Sequence, residues 1–195
     1  MLPHILKDKK IVLASQSPRR KELLHSLGID FEVCCSDQSE NYSPKMSNAE
    51  IASYLAIQKC KTVAKQYPTD TIVIGGDTIV CLEGEILGKP SSIEEAKQML
   101  NKLSGKTHEV ISGIAISYKN KIHNDFDVAK VHFLPLTEAD IDFYIAKFQP
   151  FDKAGAYGIQ EWIGLKKIDR IEGSFYTIMG LPTALLATML ENIIK

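Results

Sequence analysis

Residues 71–82, TIVIGGDTIVCL, constrain this chain more than any other stretch, because a run so rich in β-branched and apolar residues reads as a buried strand. An acid stands inside it. Burying Asp77 is costly unless the carboxylate is paired, binds a metal or takes part in chemistry, and the preceding Gly75 and Gly76 permit something else to approach closely. The plainer alternative is a bulge at the glycines, with Asp77 marking the strand's exposed end.

Helix and strand signals alternate around this run. KKIVLAS reads as a short buried strand; Ser17 then caps a helix with Pro18 in its first turn, Leu23, Leu24 and Leu27 on one face and Gly28 at its end. Ser47 and Glu50 have capping-box spacing ahead of a helix through Ile51, Leu55 and Val63, expected to stop near Pro68. Ser92 and Glu95 repeat that spacing before a helix through Met99, Leu100 and Leu103, closed by Gly105. HEVISGIAISY and KVHFLPL read as strands around a turn at Lys119-Asn120. Thr137 can cap a helix bearing Ile141, Ile145 and Phe148, and one more amphipathic helix follows Pro182. The alternation predicts an α/β or α+β protein and leaves the strand order open.

With 195 residues, 45% of them hydrophobic, the chain can bury a real core as one larger domain or two small lobes. The 23 Lys+Arg against 24 Asp+Glu leave a net charge of −1, which gives no electrostatic footprint for nucleic acid, so an anionic ligand must be held locally. No apolar run approaches the roughly 20 residues of a membrane span, and the N-terminus lacks signal-peptide features, which makes the cytoplasm the default location. Cys34, Cys35, Cys60 and Cys81 form no C-x-x-C and read as reduced, mostly buried thiols. Two motifs fail on inspection. SGKT at 104–107 lacks the first glycine of a phosphate-binding P-loop, and His108-Glu109 lacks the second histidine of a zinc protease motif.

What remains is polar chemistry at element boundaries. Ser15, Ser17, Arg19 and Arg20 lie where a strand meets a helix N-terminus, whose N–H groups and dipole favour an anion; a triphosphate tail fits that donor set. In the plainer reading Ser17 only caps the helix and the arginines are solvated. Lys89 sits in a GKP loop before a helix, an ordinary place for a surface lysine. In FDKAGAYGIQEW small residues surround Asp152, Lys153, Tyr157 and Gln160, as a backbone packed against a ligand would require, or as a turn-rich connector would show.

Taken in order, ASQSPRRKELL, the Leu55-Ala56-x-x-Lys59 helix, GDTIV, LGKP, LSGKTHEVISG, DKAGAYGIQ and GSFYTIMGLP resemble the Maf family of nucleotide pyrophosphatases, also called septum formation inhibitor proteins. The resemblance runs over nearly the whole chain and implies a single domain over 1–195. It implies an α/β fold like that of inosine triphosphate pyrophosphatases, an elongated mixed sheet flanked by helices with two lobes around a central cleft. It also implies hydrolysis of a nucleoside triphosphate to monophosphate and pyrophosphate with Mg²⁺ or Mn²⁺, and a nucleotide-binding regulator of septum formation without turnover is the rival reading. On matching positions Asp77 is the expected proton acceptor, with Lys59 and Lys89 beside it in catalysis. Ser15, Ser17, Arg19, Arg20, Thr78, Lys153 and Gln160 are expected to bind substrate, and Glu40 and Asp77 to hold the metal. Arg19, Thr78 and Gln160 match the dTTP/UTP-preferring branch. The chain departs from the family pattern in three places: Ser39 precedes Glu40 where another acid is frequent, Gly76 stands where alanine is common, and Glu161-Trp162 replaces a small-residue continuation. The expected partner is the nucleotide, with neither nucleic acid nor membrane, and a homodimer is the candidate assembly.

Overall fold

The computed structural model describes residues 2–35 and 41–194. A short helix α1 (Leu2–Leu6) leads into β1 (Ile11–Ala14), α2 (Pro18–Ser26), a two-residue β2 (Glu32–Val33), α3 (Asn48–Ala64) and the long β3 (Ile72–Leu82). Then follow β4 (Glu85–Leu87), α4 (Ile93–Leu103), β5 (Thr107–Tyr118), β6 (Lys121–Phe133) and α5 (Glu138–Phe148). A 3₁₀ turn (Ala154–Ala156), α6 (Trp162–Lys167), β7 (Ile168–Glu172), α7 (Phe175–Met179) and α8 (Thr183–Ile194) complete the order. Among the described residues, seven strands form one sheet in the order β2-β1-β3-β5-β6-β7, with β4 on β3. The sheet is mixed: β1 is parallel to β2 and β3, whereas β3–β4 and β6–β7 are antiparallel. The expected mixed α/β sheet flanked by helices is the observed one.

The chain divides into two compact units. The first comprises residues up to Thr78, Ser112–Asp127 and Gly180 onward; the second comprises Ile79–Ile111 and Val128–Met179. In the first, Val12, Ala14, Ala56, Cys60, Val63, Val73 and Ala115 make a core of small and β-branched side chains between α3 and the sheet. Two glycines set how close that helix lies. A Cβ on Gly75 would stand 2.5 Å from the Ala56 carbonyl oxygen, and one on Gly113 2.4 Å from that of Ala52. The glycines of the apolar strand leave its pairing with β1 uninterrupted, in register through Ala14 and Gly75, and the close neighbour of Gly75 is the backbone of α3. Burial pushes the Cys60 thiol, whose Sγ donates to the Val73 carbonyl at 3.2 Å, up to about 12.

In the second unit α4 buries Ala96, Met99, Leu100 and Leu103, and α5 buries Ile141, Tyr144 and Ile145. His108, Phe133 and Tyr157 form a ring cluster with centroids 5.1 to 5.4 Å apart. His108 Nε2 hydrogen-bonds the Tyr157 hydroxyl at 2.7 Å, and burial holds the imidazole pKa down at about 4.

The cap residues act as their chemistry requires. Ser17, Ser47 and Thr137 each accept an N–H of the first turn, the last two as full capping boxes. Ser92 caps α4, but Glu95 turns back to the N–H and hydroxyl of Ser91 instead of completing the box with Ser92. Helix α3 ends at Ala64, ahead of Pro68. The turn at Lys119 and Asn120, both at positive φ, is followed at once by β6, so that strand starts nine residues before the expected KVHFLPL segment and ends at Phe133. Its first half is polar and half-exposed, so pairing with β5 rather than burial makes it a strand. Cys60 and Cys81 are buried, but Cys34 is half-buried and Cys35 exposed, which corrects the expectation of mostly buried thiols. No helix among the described residues is long and apolar enough to cross a membrane.

Candidate active site

Strand β1 stops at Ala14, and its carboxyl end is where the chain turns through 15–17 into α2, beside the onward run of β3. Ser15, 7% exposed, accepts the Ser17 N–H at 3.2 Å and an Arg20 Nη1–H at 3.3 Å. Both bonds use its oxygen as acceptor, which leaves its own hydrogen as a donor. Ser17 does cap α2, as the plainer reading has it, accepting the Arg20 N–H at 3.4 Å. Arg19 is half-buried one position earlier in the same turn.

Arg20 is not a solvated arginine. Its Nε donates to the Gly180 carbonyl at 2.8 Å and its Nη2 to Thr78 Oγ1 at 2.9 Å, while Thr78 Oγ1 and Ser112 Oγ, buried on β5, share a hydrogen bond of 2.8 Å. One guanidinium thus ties the serine turn, β3 and the segment entering α8. Gly76 makes room for it, since a Cβ there would lie 3.3 Å from Arg20 Nε, tighter than ordinary packing. Sequence reasoning missed Ser112 and Gly180; the GSFYTIMGLP block was the only signal for Gly180, and it named no partner.

Beside this network, Lys59 of α3 makes a direct ion pair with Asp77 Oδ1. Asp77 is 6% exposed. The costly acid in an apolar strand is therefore paired, and Gly75 is what lets α3 approach closely enough to deliver the ammonium. The first unit thus brings together Ser15, Ser17, Arg20 and Thr78 in one hydrogen-bonded set, while Asp77, the residue before Thr78 on β3, turns to the α3 face and pairs there with Lys59.

The remaining candidates lie in the second unit. Lys89 is exposed in its loop, which the Gly155 N–H fastens through the Gly88 carbonyl at 3.0 Å. Lys153, expected to bind substrate, is 8% exposed and pairs with Asp152 at 2.7 Å and Glu161 at 3.2 Å, so its charge is already met. Gln160 is exposed and lines a pocket of about 430 Å³ with Ile159, Leu165, Ile168, Arg170 and Phe175. Its lining mixes apolar side chains with the charged Asp169 and Arg170, and it lies open to solvent. Glu40 lies outside the described residues. Among those described, no cluster of three His, Cys, Asp or Glu side chains could hold a metal ion.

A mixed sheet with a serine–arginine turn at the carboxyl end of a parallel strand, and a buried ammonium–carboxylate pair beside it, defines an α/β protein with a site suited to anion chemistry. The Staphylococcus aureus Ham1 protein shares the fold, with a TM-score of 0.55 at 22% identity, covering 95% of this chain and 100% of that one. The chain belongs to the Maf-like protein family, which matches residues 10–193. It is similar to the dTTP/UTP pyrophosphatase of Cytophaga hutchinsonii, 46% identical over 187 residues that cover 96% of this chain and 85% of that one. The dTTP/UTP pyrophosphatase of Bacillus cereus is 47% identical over 196 residues, covering 98% and 96% of the two chains.

Proposed function

We propose that this protein is a nucleoside triphosphate pyrophosphatase that cleaves dTTP and UTP between the α- and β-phosphates. Relatives of that name align with nearly the whole chain at 45% to 47% identity. The observation that carries the chemistry is the Lys59–Asp77 pair, which gives β3 a buried carboxylate one residue before Thr78 of the Ser15–Arg20–Thr78 set.

Water attacks the α-phosphorus; the bond from phosphorus to the bridging oxygen breaks, and pyrophosphate leaves with its electron pair. Asp77 accepts the proton of that water, and Lys59 holds the carboxylate in place through Oδ1. The Ser15 hydroxyl and the N–H groups at the start of α2 offer donors to phosphate oxygens, and Arg19 and Lys89 supply positive charge for the leaving group. Arg20 contributes by fixing Ser15 and Thr78. Lys153 contributes through the loop it braces, and Gln160 presents its amide to the pyrimidine edge.

A divalent cation fits this donor set in a limited way. Mg²⁺ keeps several waters and takes only one or two protein carboxylates alongside substrate phosphates, so among the described residues Asp77 is the carboxylate that would hold it, and the expected role of Glu40 falls outside them. When bound it would neutralise phosphate charge.

Replacing Asp77 with Asn keeps the shape and one carbonyl acceptor but removes the proton acceptor. Purified Asp77→Asn should lose about 10²- to 10⁴-fold in turnover of UTP with Mg²⁺, with monophosphate and pyrophosphate separated as products. Triphosphate affinity, measured without turnover, should change far less. Near wild-type hydrolysis by the folded variant would refute the assignment.

A further inference from the structure

The loop that carries Gln160 is held from behind by three side chains. Tyr144, fully buried on α5, donates its hydroxyl hydrogen to Glu161 Oε2 and accepts the Gly158 N–H at 2.9 Å. Glu161 Oε1 pairs with Lys153 Nζ at 3.2 Å, and Lys153 is anchored to Asp152 at 2.7 Å. The backbone closes over this set, with the Glu161 N–H on the Gly158 carbonyl at 3.1 Å. The two side chains lie directly over Gly158: a Cβ there would stand 2.8 Å from the Glu161 carboxyl carbon and 3.1 Å from Lys153 Cε, and the pair would have to shift to admit it. On the other side α6 folds back so tightly that a Cβ on Gly164 would sit 1.7 Å from the Ile159 carbonyl oxygen. Between these contacts the turn 158–161 has little freedom, and the residue it exposes is Gln160.

We infer that Tyr144, Glu161 and Lys153 are positioning residues that set base preference by fixing the turn on which Gln160 stands. The inference rests on the reading of Gln160 as the residue that meets the base. Glu161 is the hub, since its two oxygens serve a phenol and an ammonium at once. A hydrogen-bonding group discriminates between bases only if it is held where the correct edge arrives and the wrong edge leaves it unpaired. A loose Gln160 would satisfy either edge. The residue after the glutamine is a carboxylate, and both of its oxygens are engaged in holding the turn. A free lysine at 153 would add charge near the base, whereas a paired one adds rigidity.

The test compares Gln160→Ala, Glu161→Gln, Tyr144→Phe and the double variant Gln160→Ala/Glu161→Gln by the ratio of kcat/KM for UTP to that for ATP. Tyr144→Phe keeps the ring packing, which guards against a variant that fails to fold. Amide hydrogen exchange at Gly158 supplies a readout independent of substrate. Tyr144→Phe should speed that exchange about tenfold or more, as expected when a protecting bond is lost. Both single clamp variants should lower the UTP/ATP ratio about tenfold, mainly through the UTP value, with ATP hydrolysis within about threefold of wild type. The double variant should be no worse than Gln160→Ala alone. If Gln160→Ala collapses the ratio while the clamp variants do not, or if Gly158 exchange is unchanged in Tyr144→Phe, the inference falls and the Gln160 reading stands. If Gln160→Ala itself leaves the ratio unchanged, that reading fails and takes the inference with it. Equal losses on both triphosphates would overturn it in favour of a purely structural brace.

Discussion

Asp77 is the residue on which sequence chemistry and three-dimensional position agree most closely. An acid in an apolar strand demands a partner, and Lys59 supplies one. Removing only the lysine leaves a buried carboxylate without its counter-charge. Lys59→Met should therefore lower stability by about 2 kcal/mol in denaturant titration, a figure below that of fully buried pairs because the Lys59 side chain remains partly exposed. Adding Asp77→Asn to Lys59→Met should restore most of that stability without restoring hydrolysis of UTP. If stability stays low in the double variant, the pair is not what the lysine contributes. Arg20 shows the opposite relation between sequence and position. Its neighbours Ser17 and Arg19 suggest an anion clamp, yet three of its nitrogens serve Ser15, Thr78 and Gly180. No local pattern could reveal a bond to a carbonyl 160 positions away.

At the scale of elements, helix termini were legible because caps are local. A hydroxyl and an N–H three residues on need no tertiary partner, and Ser17, Ser47 and Thr137 all behave so. Strands β2, β4 and β7, of two, three and five residues, were not legible, because each exists through a neighbouring strand. The packing of α3 on β3 depends on a missing atom. Gly75→Ala would place a methyl against helix backbone, which cannot rotate away, so the helix or strand must shift. A loss of roughly 1–3 kcal/mol is expected from such overpacking, together with a fall in kcat/KM as Lys59 moves from Asp77. Gly84→Ala, where nothing lies within 4 Å of the new Cβ but φ is +88°, is the control: it should cost stability through backbone strain and leave kcat/KM near wild type. Equal effects on kcat/KM would remove the link between close packing and the ion pair.

For the molecule as a whole, the buried His108 ties stability to pH. Its ordinary value is 6.5 and burial lowers it to about 4 in the folded chain, with His132 adding a smaller push in the same direction. Between those values the unfolded chain binds the proton and the folded chain does not, so stability present above 6.5 is lost as pH falls toward 4. The loss from this one group is roughly 3 kcal/mol, from a shift worth about 1.4 kcal/mol per unit. Chemical denaturation at a series of pH values should show that fall, and His108→Phe should show a shallower one; parallel slopes would mean that His108 takes up its proton at the same pH in the folded and unfolded chain.

The alternation of helices and strands, the caps, the apolar strand with its anomalous acid, and the set of polar blocks that resembles the Maf family can all be read along the chain. These are local or compositional properties, carried by side chains whose preferences hold whatever lies far away in the chain. Tertiary structure alone decided the strand order, the use of Gly75 as a seat for α3, and the partners of Asp77, Arg20 and Glu161. Each of those depends on atoms brought together from distant segments, where the cost of burying a charge or crowding a backbone is settled only once the neighbour has arrived.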